Sequence, residues 1–201
     1  MRRFPSGAHA GMIGLIEGMA TNPPGPDDPP HLIRTHYVQY IPGPLQSPLY
    51  ARGLIEAAGR LVTWTVSERL AARDRQRAAI LSGAVKVEAF IPYKVLRDLT
   101  GPMASEQLRY LIDLINRGIA EIVVPKGFYV NSEASYLIAR QGNRPRMVIS
   151  QLDVRRATNR SVWVRNPRQV RRYFGEVFTE SWACGDPADT PGMLWELLRG
   201  D

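Results

Sequence analysis

The chain has 201 residues, 44% hydrophobic and 22% charged, with one cysteine, Cys184, and a formal net charge of +7. That balance describes one soluble domain with a sizeable core and a tail, and it excludes an internal disulfide framework and an intrinsically disordered chain. The apolar stretch after Met1-Arg2-Arg3 is broken by Glu17 and several glycines, too weak for a secretory signal or a membrane span, so a cytoplasmic protein is expected.

Residues 1–30 read as an N-terminal arm. Gly11 to Ala20 suits a short helix with Met12, Leu15, Ile16 and Met19 on one side, weakened by its glycines. Asn22 to Pro30 then holds five prolines, which exclude helix and sheet. His31 to Ile41 alternates, with Ile33, Thr35, Tyr37 and Gln39 on one side, and predicts a strand. It leads into Pro42-Gly43-Pro44, where missing donors and the restricted residue before each proline force the backbone to turn.

Ser47-Pro48 opens a helix, because a serine side chain accepts from the orphan N–H groups of a first turn and proline there loses nothing. It runs through Tyr50, Leu54 and Ala58 to a stop at Gly59. Gln46, Tyr50 and Arg52 are thereby set around a rigid corner near a helix N-terminus. That arrangement suits a pocket for something polar or anionic, and equally a corner that only packs helix on sheet.

Thr65-x-x-Glu68 is a capping box for a helix through Leu70, Ala78 and Leu81 that ends at Gly83. Val85 to Ile91 alternates as a strand, and Pro92 starts a short helix through Val95, Leu96 and Leu99, broken by Gly101-Pro102. Ser105 to Arg117 places Leu108, Leu111, Ile112 and Ile115 on one helical face. Ile119 to Pro125 suits a buried strand. Tyr136 to Arg140 and Met147 to Leu152 form a hairpin around Gln141-Gly142-Asn143-Arg144-Pro145. After a short strand at Val162-Trp163-Val164, Asn166-Pro167 caps a helix whose Val170, Tyr173, Phe174, Val177, Phe178 and Trp182 make a core face. Thr190-Pro191 opens a terminal helix with Leu194, Trp195 and Leu198. The sum is an α+β protein with a single domain over 31–201, a mixed or antiparallel sheet packed with helices, after a Pro-rich arm over 1–30.

Tyr40 to Ile55, with Pro42, Gly43, Leu45, Gln46, Tyr50, Ala51 and Arg52, resembles the opening of the C-terminal domain of XRE-type, antitoxin-like regulators of filamentous actinobacteria. Arg75-Gln76 matches an Arg-Gln pair in that family, and Leu96 through Gly101, Met103, Gln107-Leu108 and Leu111 repeat its order and spacing. Ala72 stands where the family has an arginine, Tyr93 and Gln151 where it has acids, and Pro44 and Ser47 where it has Leu and Thr. The resemblance covers about residues 31–200. In that family a helix-turn-helix domain precedes this one, and about 30 residues are too few for it. The resemblance therefore implies a sensor or binding domain acting without its own DNA reader, together with a small-molecule ligand or a small partner protein.

Motif chemistry is sparse. Phosphate loop, dinucleotide glycine motif and Cys/His zinc spacing are lacking, and His9, His31 and His36 share no ligand spacing, so no metal and no cofactor is expected. The candidate ligand-binding residues are Gln46, Tyr50, Arg52, Arg75, Gln76 and Tyr93. The alternative reading is a cofactor-independent cyclase or isomerase of specialised metabolism, in which Tyr93, Arg75 and Tyr40 donate hydrogen bonds to a developing oxyanion. From Arg140 to Arg172 ten arginines meet one acid, Asp153, a local charge of +9 against −2 elsewhere. That segment suits phosphate or simply solvated faces, and without interleaved aromatics direct DNA binding is not expected. A homodimer is compatible with everything above.

Overall fold

The computed structural model describes residues 7–21, 31–57, 65–125, 135–142, 144–153 and 158–200. The Pro-rich run over 22–30, the expected stop at Gly59, and Arg155 and Arg156 lie outside them. Strands β1 (His31–His36), β2 (Val85–Phe90), β3 (Ala120–Val123), β4 (Ser135–Gln141), β5 (Arg144–Asp153) and β6 (Thr158–Val164) form one sheet in the order β3-β2-β1-β4-β5-β6. The sheet is mixed. β1, β2 and β3 run parallel, which requires crossovers, and helices supply them: α2 (Pro48–Ala57) and α3 (Val66–Leu81), then α4 (Tyr93–Arg97) and α5 (Gly101–Asn116). β4, β5 and β6 add antiparallel on the other side of β1.

Local chemistry explains the elements. Thr65 and Glu68 exchange the reciprocal bonds of a capping box. The hairpin register pairs Gln141 with Arg144, and Gly142 supplies the positive φ, +54°, of the tight connection. Pro145 is expected in that turn but lies within β5 opposite Arg140. β1 ends at His36, earlier than the expected Ile41, and the chain bends over residues 38–40. Gly101-Pro102, read as a break, instead starts α5, because proline is favoured in a first helical turn.

The helix expected from Asn166 to Trp182 is three consecutive pieces: α6 (Pro167–Arg172), a π-helical turn (Tyr173–Val177) and α7 (Phe178–Trp182). After them comes α8 (Thr190–Arg199), whose first residue is tied to the sheet by the Thr190 hydroxyl donating to the Ile122 carbonyl at 2.6 Å. Trp195 on that helix is 47% exposed, whereas Leu194 is fully buried.

Alternation along the strands builds two cores. Ile33, Val87, Ala89, Ala139 and Val148 share the larger one with Leu108, Leu111 and Ile112 of α5. On the opposite face Tyr136, Ile138 and Met147 meet Val170 and Phe178. Arg34, on β1, crosses that second layer. Its Nε lies 2.7 Å from Glu88 of β2, its Nη1 donates to the Phe174 carbonyl at 2.5 Å, and the guanidinium sits 4.3 Å from the Phe174 ring centroid.

The helix of the arm, α1 (Gly7–Thr21), packs into the larger core: Ile16 and Met19 are fully buried and Met12 nearly so. Ile16→Ala should therefore lower unfolding free energy by about 2–5 kcal/mol, measured by urea denaturation. A loss below about 0.5 kcal/mol is the outcome expected of a helix merely lying on the surface.

Candidate functional site

Every residue from Ile41 to Ser47 is buried. Pro42 to Leu45 closes as a single 3-10 turn, Leu45 N–H donating to the Pro42 carbonyl at 2.8 Å. A buried turn leaves backbone groups to satisfy, and side chains do so here. Gln107, on the buried face of α5, accepts from Ser47 N–H at 2.8 Å and donates to the Leu45 carbonyl at 2.9 Å. Gln46 folds back, its Nε2 donating to the Ile41 carbonyl at 2.8 Å, while Ile41 N–H donates to the Tyr50 hydroxyl at 3.2 Å. Ser47 Oγ accepts from Tyr50 N–H at 3.3 Å, the cap expected of Ser47-Pro48, and the Glu106 carboxylate accepts from Leu49 N–H at 3.1 Å. Gly43 lies against the Arg73 guanidinium, and a Cβ there would stand 2.5 Å from Arg73 Nη1, so a side chain would have to displace that guanidinium.

The expected site residues divide. Gln46, Gln76 and Tyr50 are buried at or behind the corner, Gln76 accepting from Arg73 Nη1 at 2.6 Å. Tyr40 is half-buried with its ring 5.3 Å from that of Tyr37. The rest face outward. Arg52 is exposed and lies 3.7 Å from Glu56; Arg75 is paired at 2.7 Å with Glu17 of α1; Tyr93 is 36% exposed at the start of α4. Among the described residues no hydrogen bond or ion pair joins Tyr93, Arg75 and Tyr40 to one another.

In the arginine segment, Arg140 sits 5.2 Å from the Phe174 centroid and Arg172 lies 3.6 Å from Glu176, while Arg144, Arg146, Arg165, Arg168 and Arg171 are exposed. Cys184 is exposed, and His36 is buried, stacked 4.7 Å from Phe90.

Beside the corner a cleft of about 490 Å³ opens between α2, α4, the start of α5 and the bend after β1. Its walls are Tyr50, Gly53, Leu54 and Ala57 of α2, Val95 of α4, Leu99, Met103 and Val38. Gln39, Thr100 and the pair Lys94–Asp98 supply the polar groups. The Lys94 ammonium holds the Asp98 carboxyl below its usual range through a hydrogen bond. Burial pushes the Tyr50 phenol up, opposed by the bond that it accepts from Ile41. Sequence reasoning missed Gln107, Lys94, Asp98 and Arg73 as site residues. The signals available were the 3.6-residue period that places Arg73 with Gln76 and the i, i+4 spacing of Lys94 and Asp98.

Residues 31–191 match the protein family described as Domain of unknown function (DUF5753). The chain belongs to that family. No curated protein and no solved structure matches it. The DUF5753 region holds the corner, the cleft and α3 entire, whereas α1 precedes it.

Two measurements probe this DUF5753 corner. Gln107→Ala orphans one buried donor and one buried acceptor, and should cost about 2–5 kcal/mol in chemical denaturation. Tyr50 and Tyr110 are both raised by burial. Their neutral forms are thus favoured by folding: stability is intact below the unfolded tyrosine value of about 10 and falls as pH climbs from there through the folded values. Denaturation between pH 9 and 11 should show that fall, with a shallower slope in Tyr50→Phe.

Proposed function

We propose that this DUF5753 protein is a ligand-binding sensor domain that holds a small, largely apolar molecule with a polar end in the cleft beside the Pro42–Ser47 corner. The observation that carries the reading is the cleft itself, about 490 Å³, within the roughly 300–1,000 Å³ typical of small-molecule sites. Its floor is apolar, and Lys94, Asp98, Gln39 and Thr100 offer orienting polar groups at its edge. The resemblance of Tyr40 to Ile55 to the partner- and effector-binding domains of XRE-type regulators supports the same reading. A cyclase or isomerase asks for donors converging on one enclosed space. Arg75 and Tyr93 stand on separate helices with outward-facing side chains, so binding without turnover is the reading carried here.

Gly53 lines the cleft with Met103 Sδ 3.0 Å from where its Cβ would stand. Gly53→Leu fills the space at the expense of a flexible methionine. Native mass spectrometry of protein purified from its producing host should show a retained small molecule in the wild type and at least a tenfold lower occupancy in Gly53→Leu. Equal retention in the variant would remove the cleft as the site. Turnover of a metabolite at a defined rate would replace the sensor reading with catalysis.

A further inference from the structure

We propose that the guanidinium of Arg73, wedged under Gly43, is the centre of a second binding site that takes an oxyanion, the carboxylate or phosphate group of a small ligand. A guanidinium carries five N–H donors. One nitrogen of Arg73, Nη1, donates to Gln76 Oε1 at 2.6 Å, whereas Nε is buried with no acceptor. Among the described residues no carboxylate pairs with it. The acids nearest in sequence or on the facing helix are used elsewhere, Asp74 on Arg77 and Glu17 on Arg75.

Its charged neighbour is a second cation, Arg69, and the two phenols within electrostatic reach are Tyr37 and Tyr40. Desolvation accordingly lowers the affinity of Arg73 for its own proton. A half-buried cation beside another cation, with a buried and unmet Nε–H, is matched by an anion and by little else, because a planar fork of donors fits two oxygens of one group.

The position is built. A Cβ at Gly43 would fall 2.5 Å from Nη1, so the backbone of the corner forms one wall of the guanidinium site and a side chain there would displace the guanidinium. Gln46 Oε1, on the same corner, is likewise buried without a donor. Access remains from one side, because Arg69, Arg73 and Tyr40 are each only half-buried. None of Tyr37, Tyr40, Arg69 and Arg73 lines the cleft, so this site stands or falls separately from that reading.

The test is thermal unfolding of the full chain with sodium phosphate or sodium acetate at constant ionic strength, for wild type, Arg73→Met and Arg171→Gln. The expected result is a saturable rise in Tm of about 3–6 °C at tenfold excess over the dissociation constant, lost in Arg73→Met and kept in Arg171→Gln. Whichever of the two anions is the stronger identifies the group. A wild type that shows no saturable rise overturns the proposal, as does a rise that survives Arg73→Met or disappears in Arg171→Gln. Should Arg73→Met not fold, the wild-type Gly43 amide resonance decides, by shifting saturably with the anion or by staying fixed, which refutes the site.

Discussion

The side chain of Gln107 holds the structure's decisive joint. Two prolines remove donors from the corner after β1 but leave its carbonyls, and the corner is too deep for water to satisfy them. One primary amide solves both halves of that problem, because it offers a donor and an acceptor on one rigid plane. Bound to Leu45 and Ser47, it fixes where α2 begins relative to α5. The cleft follows from that offset. With Gln46, Leu45 and Pro44 filling the inside of the bend, the open space is displaced to its flank, along Tyr50, Gly53 and Leu54.

The second layer of the sheet answers to a different constraint. Arg34 lies on the central strand, among side chains that face aromatic rings, and a charge there is costly unless several groups share it. Glu88 provides the ion pair, the rings of Phe174 and Phe178 provide π faces at 4.3 and 5.0 Å, and the Phe174 carbonyl accepts a further bond. The accepting carbonyl belongs to the π-helical turn, the kind of local irregularity that a uniform helix would not need. One polar residue thus ties β1, β2 and the C-terminal helices together, at the point where the α6–α7 segment departs from α-helical geometry.

Much of this was legible because it is local. A capping box at Thr65–Glu68, a serine cap at Ser47, a hairpin at Gly142 and the apolar stripe of α5 are each decided by residues a few positions apart. The α+β class followed from the succession of those elements, which left the sheet mixed or antiparallel until the parallel pairing of β1, β2 and β3 decided it. What escaped is non-local. The depth of α1 depends on the sheet face that its Ile16 meets, which no periodicity in a glycine-rich segment announces. Trp195 faces out and Gln107 faces in, the reverse of their average habits. The π turn carries the carbonyl that accepts from an arginine 140 positions earlier in the chain.

The arginines of α3 show why the candidate site was only half visible. Arg69, Arg73, Arg75 and Arg77 are one residue type on one helix, yet each meets a different environment. Arg75 reaches Glu17, Arg77 reaches Asp74 and the Gln46 carbonyl, Arg69 reaches the Ile55 carbonyl, and only Arg73 is thrust against Gly43. Successive residues are 100° apart around a helix, so a family pattern that names the Arg75-Gln76 pair puts its glutamine in the interior and its arginine in solvent. Unmet polar atoms in an interior are normally few and have reasons. Arg140 Nε has one, since its guanidinium lies over Phe174. The unmet atoms of Gln46 and Arg73 sit instead around a turn whose glycine lies directly against the Arg73 guanidinium. A corner needed only for packing would be served as well by an apolar side chain at position 73, so retaining a cation there at a cost in desolvation is the mark of a site rather than of architecture.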